Sequence, residues 1–424
     1  MRVLVVGGGG REHALVEAIA ASHLEPEVFC APGNPGIARI AEVVDIPVDD
    51  LVALRDFAVS RSIDLTVVGP EIPLINGISE CFWEEGLQVF GPSRAAARIE
   101  GSKVFSKEMM RHAGVPTAEF EVFDREDRAL DYLHRRNEFP IVLKADGVAS
   151  GKGVTVAKTP EEAESAVREV FGGRFGAAGE RILIEECLVG REASIFVVTD
   201  GENILPFLPA QDYKRIGDGD EGPNTGGMGA YSPLLWMEPA TYGQIVEEII
   251  RPTLHQLALI GAPYTGLLYA GVMVTEDGPK ALAFNCPFGD PETQAILPRL
   301  GSDLLELMVA TSDGTLAGRE ISWSSDKAVC VVLASEGYPE SSHSGDEISG
   351  LGDLPAGVYV YHAGTSERDG RFYTNGGRVL NIIGTGPNVL EARARAYAAV
   401  ESIHFEGMQY RTDIALEAIE LEEI

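Results

Sequence analysis

The sequence predicts an α/β protein that opens with a parallel sheet and continues into mixed α/β segments. Three observations carry this reading. Val3-Leu4-Val5-Val6 is a β-branched apolar run, followed by four glycines and then a helical composition from Glu12 to Ala21. The same strand, turn, helix alternation recurs at Glu27 to Cys30 before APGNPG, Asp64 to Val68 before GPE, and Leu87 to Phe90 before GPS. Apolar residues make up 45% and charged residues 23%, which are globular values.

At 424 residues the chain suggests about three domains, each able to bury a core. Residues 1–102 read as a parallel-sheet domain whose glycine- and proline-rich loops follow the strand ends, where ligands of such sheets collect. Residues 103–326 mix helices with strands such as Ile141 to Lys144 and Arg181 to Glu185 and hold most of the unusual loops, including a lid near 145–190. Residues 327–424 read as a smaller mixed domain, with strands at Ala328 to Leu333, Gly357 to His362 and Arg378 to Ile383 and a helix from Glu391.

A formal charge of −31 repels polyanions and acidic lipid headgroups, so neither nucleic acid nor membrane is an expected partner. A small phosphorylated substrate stays compatible, because loop amides and a few lysines bind it locally. The five cysteines (Cys30, Cys81, Cys187, Cys286, Cys330) are odd in number and scattered, which argues against a disulfide framework or a CxxC metal site and for a cytoplasmic home. The sequence shows no targeting segment and no apolar run long enough to span a bilayer.

The Gly7-Gly8-Gly9-Gly10 turn invites a dinucleotide reading, but the third glycine of that fingerprint is replaced by Glu12, and the second strand ends in Cys30-Ala31-Pro32 without the expected acid. A phosphate or sugar phosphate at this helix N-terminus is the better functional reading; a turn serving only tight strand-to-helix packing is the other. Gly147 to Gly153 is not a Walker loop, since no Ser or Thr follows Lys152. It is instead a glycine lid carrying one cation, suited to closing on triphosphate oxygens. Lys103 lies upstream, and Glu185 to Leu188 with Glu192 downstream; each lone charge also fits a solvated surface position. The run from Gln211 to Arg215 and on through Gly229 is too dense in turn formers for ordinary structure. Within it, Asp212 could pair with a substrate ammonium and Lys214 or Arg215 with phosphate or carboxylate. In the strand Lys280 to Asn285, a period of two places Ala281, Ala283 and Asn285 on one face. An acidic turn, Cys286 to Glu292, follows. Neither an HExxH spacing nor a GxSxG elbow occurs.

GGGGREHAL, APGN, VVGPE, FGPS, EGSK, KADGVASGKGV, GPNTGGMGAYSP, FGDPETQ, HAGT, TNGGRVL and MQYRTDI occur in one order from Arg2 to about Asp413. Together they resemble the phosphoribosylamine-glycine ligase family, or glycinamide ribonucleotide synthetases, of the ATP-grasp superfamily. The resemblance implies an ATP-grasp fold between a parallel-sheet N-terminal domain and a mixed α/β C-terminal domain. It implies ATP and Mg²⁺ as cofactors, glycine and 5-phosphoribosylamine as substrates, and a monomer or small homo-oligomer. Lys103 and Lys144 would contact ATP phosphates under the Gly151-Lys152-Gly153 lid, Glu185 to Leu188 would meet adenine, and Glu192 would take the ribose hydroxyls. Asp212, Lys214, Arg215, Asn224 and Asp290 would be the catalytic residues, Gly8, Gly9, Gly10 and Arg11 would hold the phosphoribosyl group, and Asn285 the metal.

Three positions depart from the family pattern. Ala283 replaces a glutamate that would hold Mg²⁺ with Asn285, and a methyl group cannot coordinate a hard cation. Pro287 replaces an arginine expected to stabilise the transferring phosphoryl group. Tyr213 replaces a histidine of no assigned role. If the ligand and the arginine together contribute about 3–5 kcal/mol in the transition state, turnover falls roughly 10²–10⁴-fold, unless Asp290, Glu292 or water completes the metal shell. An active though slower ligase is the leading reading. A paralogue ligating a different acid or amine and an inactive nucleotide- or phosphoribosyl-binding protein are the alternatives.

Overall fold

The structure, a computed structural model, describes residues 1–147, 153–174, 176–352 and 354–422. In the N-terminal region the strands Glu42–Val43, Glu27–Pro32, Arg2–Gly7, Leu65–Val68 and Gln88–Phe90 lie side by side in that order, all parallel. Such a sheet is covered on both faces, which is why its strands are apolar throughout. Leu4 and Val6 enter one core while Val3 and Val5 enter another. The strand order reverses between Arg2–Gly7 and Leu65–Val68, so the loops following these neighbours diverge and leave a crevice. Gly8 to Gly10 form one lip and Gly69-Pro70-Glu71 the other. The first helix runs Gly10–Ala20, two residues ahead of the expected start. Glu12 explains this: its carboxylate reaches back to the Gly9 amide at 2.6 Å and caps the helix there.

The segment expected as a lid belongs to a four-stranded antiparallel sheet, called the lid sheet below, ordered Phe120–Phe123, Ile182–Glu186, Ile141–Ala145, Val154–Ala157. Ile141, Leu143, Ala145, Ile182 and Ile184 turn toward a core of their own under the helices Glu126–Leu133 and Pro160–Glu169. The opposite face therefore carries Lys144, Leu183 and Glu185.

A second antiparallel sheet, Ile204–Pro206, Arg191–Thr199, Gly266–Thr275 and Gly278–Asn285, faces the lid. Here a β-bulge corrects the sequence reading. Val272 pairs with Ala281 and Gly271 with Ala283, so Leu282 is an extra residue and the alternation shifts by one. Ala281 turns into the core beside Phe284, and only Ala283 and Asn285 share the outward face.

The third large sheet is antiparallel and ordered Gln211–Asp212, Gly229–Ser232, Lys327–Ala334, Arg378–Gly386, Val358–His362. Strands from either side of residue 326 thus share one sheet, because backbone pairing between Gly229–Ser232 and Lys327–Ala334 ties the long loop to the C-terminal region. The helix Val389–Ser402 starts where the Asn388 side chain accepts from the Glu391 amide at 2.8 Å.

Candidate active site

Between the lid sheet and the Gly278–Asn285 strand lies a cavity of about 260 Å³. Its polar lining comes from Lys103 and Lys107 on the helix Lys103–Ala113, Lys144 and Glu185 on the lid, and Asn285 on the facing strand. Ser102 starts that helix by accepting from the Phe105 amide at 3.1 Å, while Asp146 accepts from Ser102 Oγ at 2.9 Å and from the Val104 amide at 3.1 Å. The lysine-bearing turn is thereby fastened to the lid strand. Glu185 Oε2 meets Lys144 Nζ at 2.9 Å and Glu185 Oε1 meets Lys107 Nζ at 3.3 Å. Lys103 Nζ donates to the Gly147 carbonyl at 2.5 Å and Lys107 Nζ to Thr117 Oγ1 at 2.5 Å. Burial, and then the charge of Lys144, pull the Lys103 ammonium below its ordinary range; burial pulls Lys107 down to about 8. Burial and the neighbouring Glu71 push Glu100 up to about 8, and its carboxylate accepts from the Cys286 amide at 2.7 Å. The Ser106 hydroxyl, also on the wall, is buried without a hydrogen-bond partner.

Lys103, Lys144 and Glu185 thus share one cavity. Lys107, Glu71 and Glu100 also line it and were not singled out from sequence, although the spacing of Lys107 four residues after Lys103 on one helix was the available signal. Gly151 and Lys152 lie outside the described residues. The Gly153 carbonyl accepts from the Ala145 amide at 2.9 Å. Leu188 follows the strand Ile182–Glu186 and is not part of the cavity wall. Nor is Glu192, whose carboxylate pairs with Lys214.

The residues do not make a complete site for a divalent cation. Asn285 offers one carboxamide oxygen, Ala283 beside it offers none, Glu185 lies between two lysines with Oε1 making no hydrogen bond, Glu100 accepts from the Cys286 amide, and Glu71 is the remaining carboxylate on the wall. Among the described residues no group of three or more His, Cys, Asp or Glu side chains is placed to hold a metal. Pro287 is buried. The guanidinium next to that turn is Arg11, which donates to the Phe288 carbonyl at 3.0 Å and to Glu12 at 2.6 Å. Tyr213, the third departure, is a core residue: its hydroxyl accepts from the Ala415 amide at 2.8 Å, and Arg411 stacks on its ring at 4.8 Å.

A second convergence lies where all three large regions meet. Asp290 pairs with Arg378 at 3.0 Å and accepts from Gln294 at 2.7 Å, while Arg378 also donates to the Gly226 carbonyl at 2.6 Å. A Cβ on Gly9 would lie 3.7 Å from Asp290 Oδ2, and one on Gly10 would collide with Asn381 and Gln294. Asn34 clamps the turn, donating to the carbonyls of Gly8 at 2.9 Å and His362 at 2.8 Å. Because Glu12 occupies the Gly9 amide, that donor is not open to a phosphate.

Nearby, Asp212 Oδ1 is buried and has no hydrogen-bond partner. A Cβ on Gly227 would stand 2.6 Å from it. Burial, and then the Glu292 carboxylate, push Asp212 well above the usual carboxylate range. Glu292 is itself buried and raised, and accepts from Ser194 Oγ at 2.8 Å. Burial opposes the charge on Lys214, yet Glu192 and Asp212 hold its ammonium well above the ordinary value. Arg215 and Asn224 do not join this cluster. They line a more open groove of about 460 Å³ with Val154 to Val156, and Arg215 ties its own hairpin by donating to the Gly222 carbonyl at 2.7 Å.

The two facing sheets with a lysine-lined cavity between them define an ATP-grasp protein. Profiles described as the N domain, the ATP-grasp (A) domain and the C domain of phosphoribosylglycinamide synthetase match residues 1–100, 101–293 and 328–417. The chain belongs to the phosphoribosylglycinamide synthetase family. It is 48% identical over 416 residues to the phosphoribosylamine–glycine ligase of Caldanaerobacter subterraneus, covering 98% of this chain and 99% of that one. To the enzyme of the same name from Brucella melitensis it is 49% identical over 424 residues, covering 100% and 99%. The crystal structure of the phosphoribosylamine–glycine ligase from Thermotoga maritima superposes with a TM-score of 0.85 at 36% identity, covering 97% of this chain and 100% of that one. A biotin carboxylase from Campylobacter jejuni, solved with a β,γ-ATP ligand, shares the fold at a TM-score of 0.78 and 15% identity, covering 99% and 95%. No described helix is long and apolar enough to cross a membrane.

Proposed function

We propose that this chain ligates glycine to 5-phosphoribosylamine at the expense of ATP, giving glycinamide ribonucleotide, ADP and phosphate in de novo purine synthesis. The observation that carries the reading is the pairing of a lysine-lined cavity with the Asp212, Asp290 and Arg378 convergence, in a chain related over its whole length to phosphoribosylamine–glycine ligases.

The chemistry runs in two displacements. A glycine carboxylate oxygen attacks the γ-phosphorus and ADP leaves; the amine of phosphoribosylamine then attacks the acyl carbon and phosphate leaves. Lys103 and Lys144 hold the phosphate oxygens, and closure of the lid excludes water from the acyl phosphate. The unpartnered Asp212 oxygen receives the glycine ammonium, and Asp290, with the Gly8 to Gly10 turn and Arg11, frames the phosphoribosyl side. The partners are small molecules, the compartment is the cytoplasm, and the assembly is a monomer or small homo-oligomer.

An inactive nucleotide binder is the second reading, favoured by the methyl group of Ala283 on the cavity wall. ADP release by the purified protein, with ATP, Mg²⁺, glycine and freshly generated phosphoribosylamine, separates the two. Release that requires both glycine and the amine supports ligation; nucleotide binding without release leaves only a binding protein.

A further inference from the structure

The cavity wall is rich in cationic donors and poor in metal ligands. Lys103, Lys107 and Lys144 converge on it, and an ammonium carries three donors. Among the described residues, Lys103 spends one on the Gly147 carbonyl, Lys107 bonds Thr117 and faces Glu185, and Lys144 bonds Glu185 and, at 3.4 Å, the Leu282 carbonyl. Donors therefore remain for phosphate oxygens. On the opposite wall the residue next to Asn285 that faces outward is Ala283, since the Leu282 bulge has turned Ala281 into the core. Of the carboxylates that share the cavity, Glu185 lies between two lysines and Glu100 is bound to the Cys286 amide, which leaves Glu71, at the start of the helix that follows Leu65–Val68 and not on the strand of Asn285. Mg²⁺ is held in phosphate sites by one or two carboxylates plus the phosphates themselves, and the strand facing the lysines contributes one carboxamide and no carboxylate, so its hold on the cation is weak.

We infer that this chain binds its nucleotide through the Lys103, Lys107 and Lys144 ammonium groups, with an affinity nearly indifferent to Mg²⁺. The inference rests on the nucleotide reading of the cavity given above. It separates binding from turnover: the pocket fills with or without the cation, and what Ala283 removes is the protein's grip on the metal.

The test is calorimetric titration of the full-length protein with ADP, in EDTA and in excess MgCl₂, beside Ala283→Glu and Lys144→Gln, with thermal melts confirming that each variant is folded. The expected result is a change below about fivefold between the two conditions for the parent, and a tightening of about tenfold or more by Mg²⁺ in Ala283→Glu. Lys144→Gln should weaken ADP about tenfold in both conditions alike. A parent that gains more than about fivefold from Mg²⁺ overturns the inference and shows that another carboxylate completes the site. Glu71→Gln, by abolishing that gain, would then name it. A parent that binds no ADP in either condition overturns the nucleotide reading itself, a failure distinguishable from the first because the metal comparison is then flat at zero.

Discussion

Lys144 reaches Glu185 at 2.9 Å along the diagonal of an antiparallel pair, since Val142 is the direct partner of Glu185 and Lys144 that of Leu183. The diagonal puts both side chains on the cavity face while Leu143 and Ile184 fill the lid core behind them. Lys144→Met leaves Glu185 with Lys107 alone. Stability should fall by about 2 kcal/mol in urea denaturation. An unchanged unfolding midpoint would show that the pair contributes nothing beyond its geometry.

Restoring the two family residues should restore rate. The Ala283→Glu, Pro287→Arg double variant is expected to release ADP roughly 10²–10⁴-fold faster than the parent, the range that about 3–5 kcal/mol of transition-state stabilisation implies. Equal rates would mean that the site is completed by other groups, Arg11 beside the Phe288 carbonyl being one candidate.

Gly227 has φ of +111°, and any Cβ there would press on Pro291 and stand 2.6 Å from Asp212 Oδ1. Gly227→Ala should cost about 1–3 kcal/mol of stability from backbone strain. It should also raise KM for glycine at least about tenfold, while ADP binding by titration stays within about twofold. A glycine KM unaffected by the substitution removes Asp212 from the ammonium site.

Tyr213 stands where the family pattern has a histidine of no assigned role, and its hydroxyl is spent on the Ala415 amide. Tyr213→Phe strands that amide and should lower stability by about 1–2 kcal/mol. Turnover should not change, nor should it rise in Tyr213→His. A gain in rate from the histidine variant would place this position in the chemistry.

The interface between the glycine turn and the C-terminal sheet should be acid-sensitive. Burial, then the charge of His362, pull His13 down to about 3; burial, then Arg39, pull His362 down to about 4. Both are neutral in the folded chain at pH 7, and His13 Nδ1 accepts from the His362 amide at 2.9 Å, which a protonated ring nitrogen cannot do. Their folded values lie below the unfolded value of about 6.5, so the stability they contribute is complete above that pH and is lost as pH falls toward 4. The loss is at most roughly 3 kcal/mol per histidine. Thermal melts from pH 7.5 to 4.5 should show the decline, and His13→Gln should flatten it. A parallel decline in that variant assigns the sensitivity to other groups.

Much of this was legible in the chain. Lys103, Lys144 and Glu185 were grouped at one site by the family resemblance, and the structure brings them to one cavity. Glu12 was read correctly as the residue that breaks a dinucleotide fingerprint; its purpose, capping Gly9 while packing against Gly69, needed the fold. Glu192, expected at a ribose, pairs with Lys214, a partner brought to it by the fold of the long loop. Arg378 was not singled out at all: it meets Asp290 from 88 residues away, through the register of the C-terminal sheet.

Local period and turn composition by themselves determined the α/β class, the order of glycine-rich loops and, through the ordered motifs, the family, since each of these is written in contiguous residues. Only the tertiary structure decided which charges meet and which stay unpartnered. Pairing of distant strands sets those contacts, and one inserted residue such as Leu282 turns every following side chain to the other face, so that Ala281 is core and Ala283 faces the cavity.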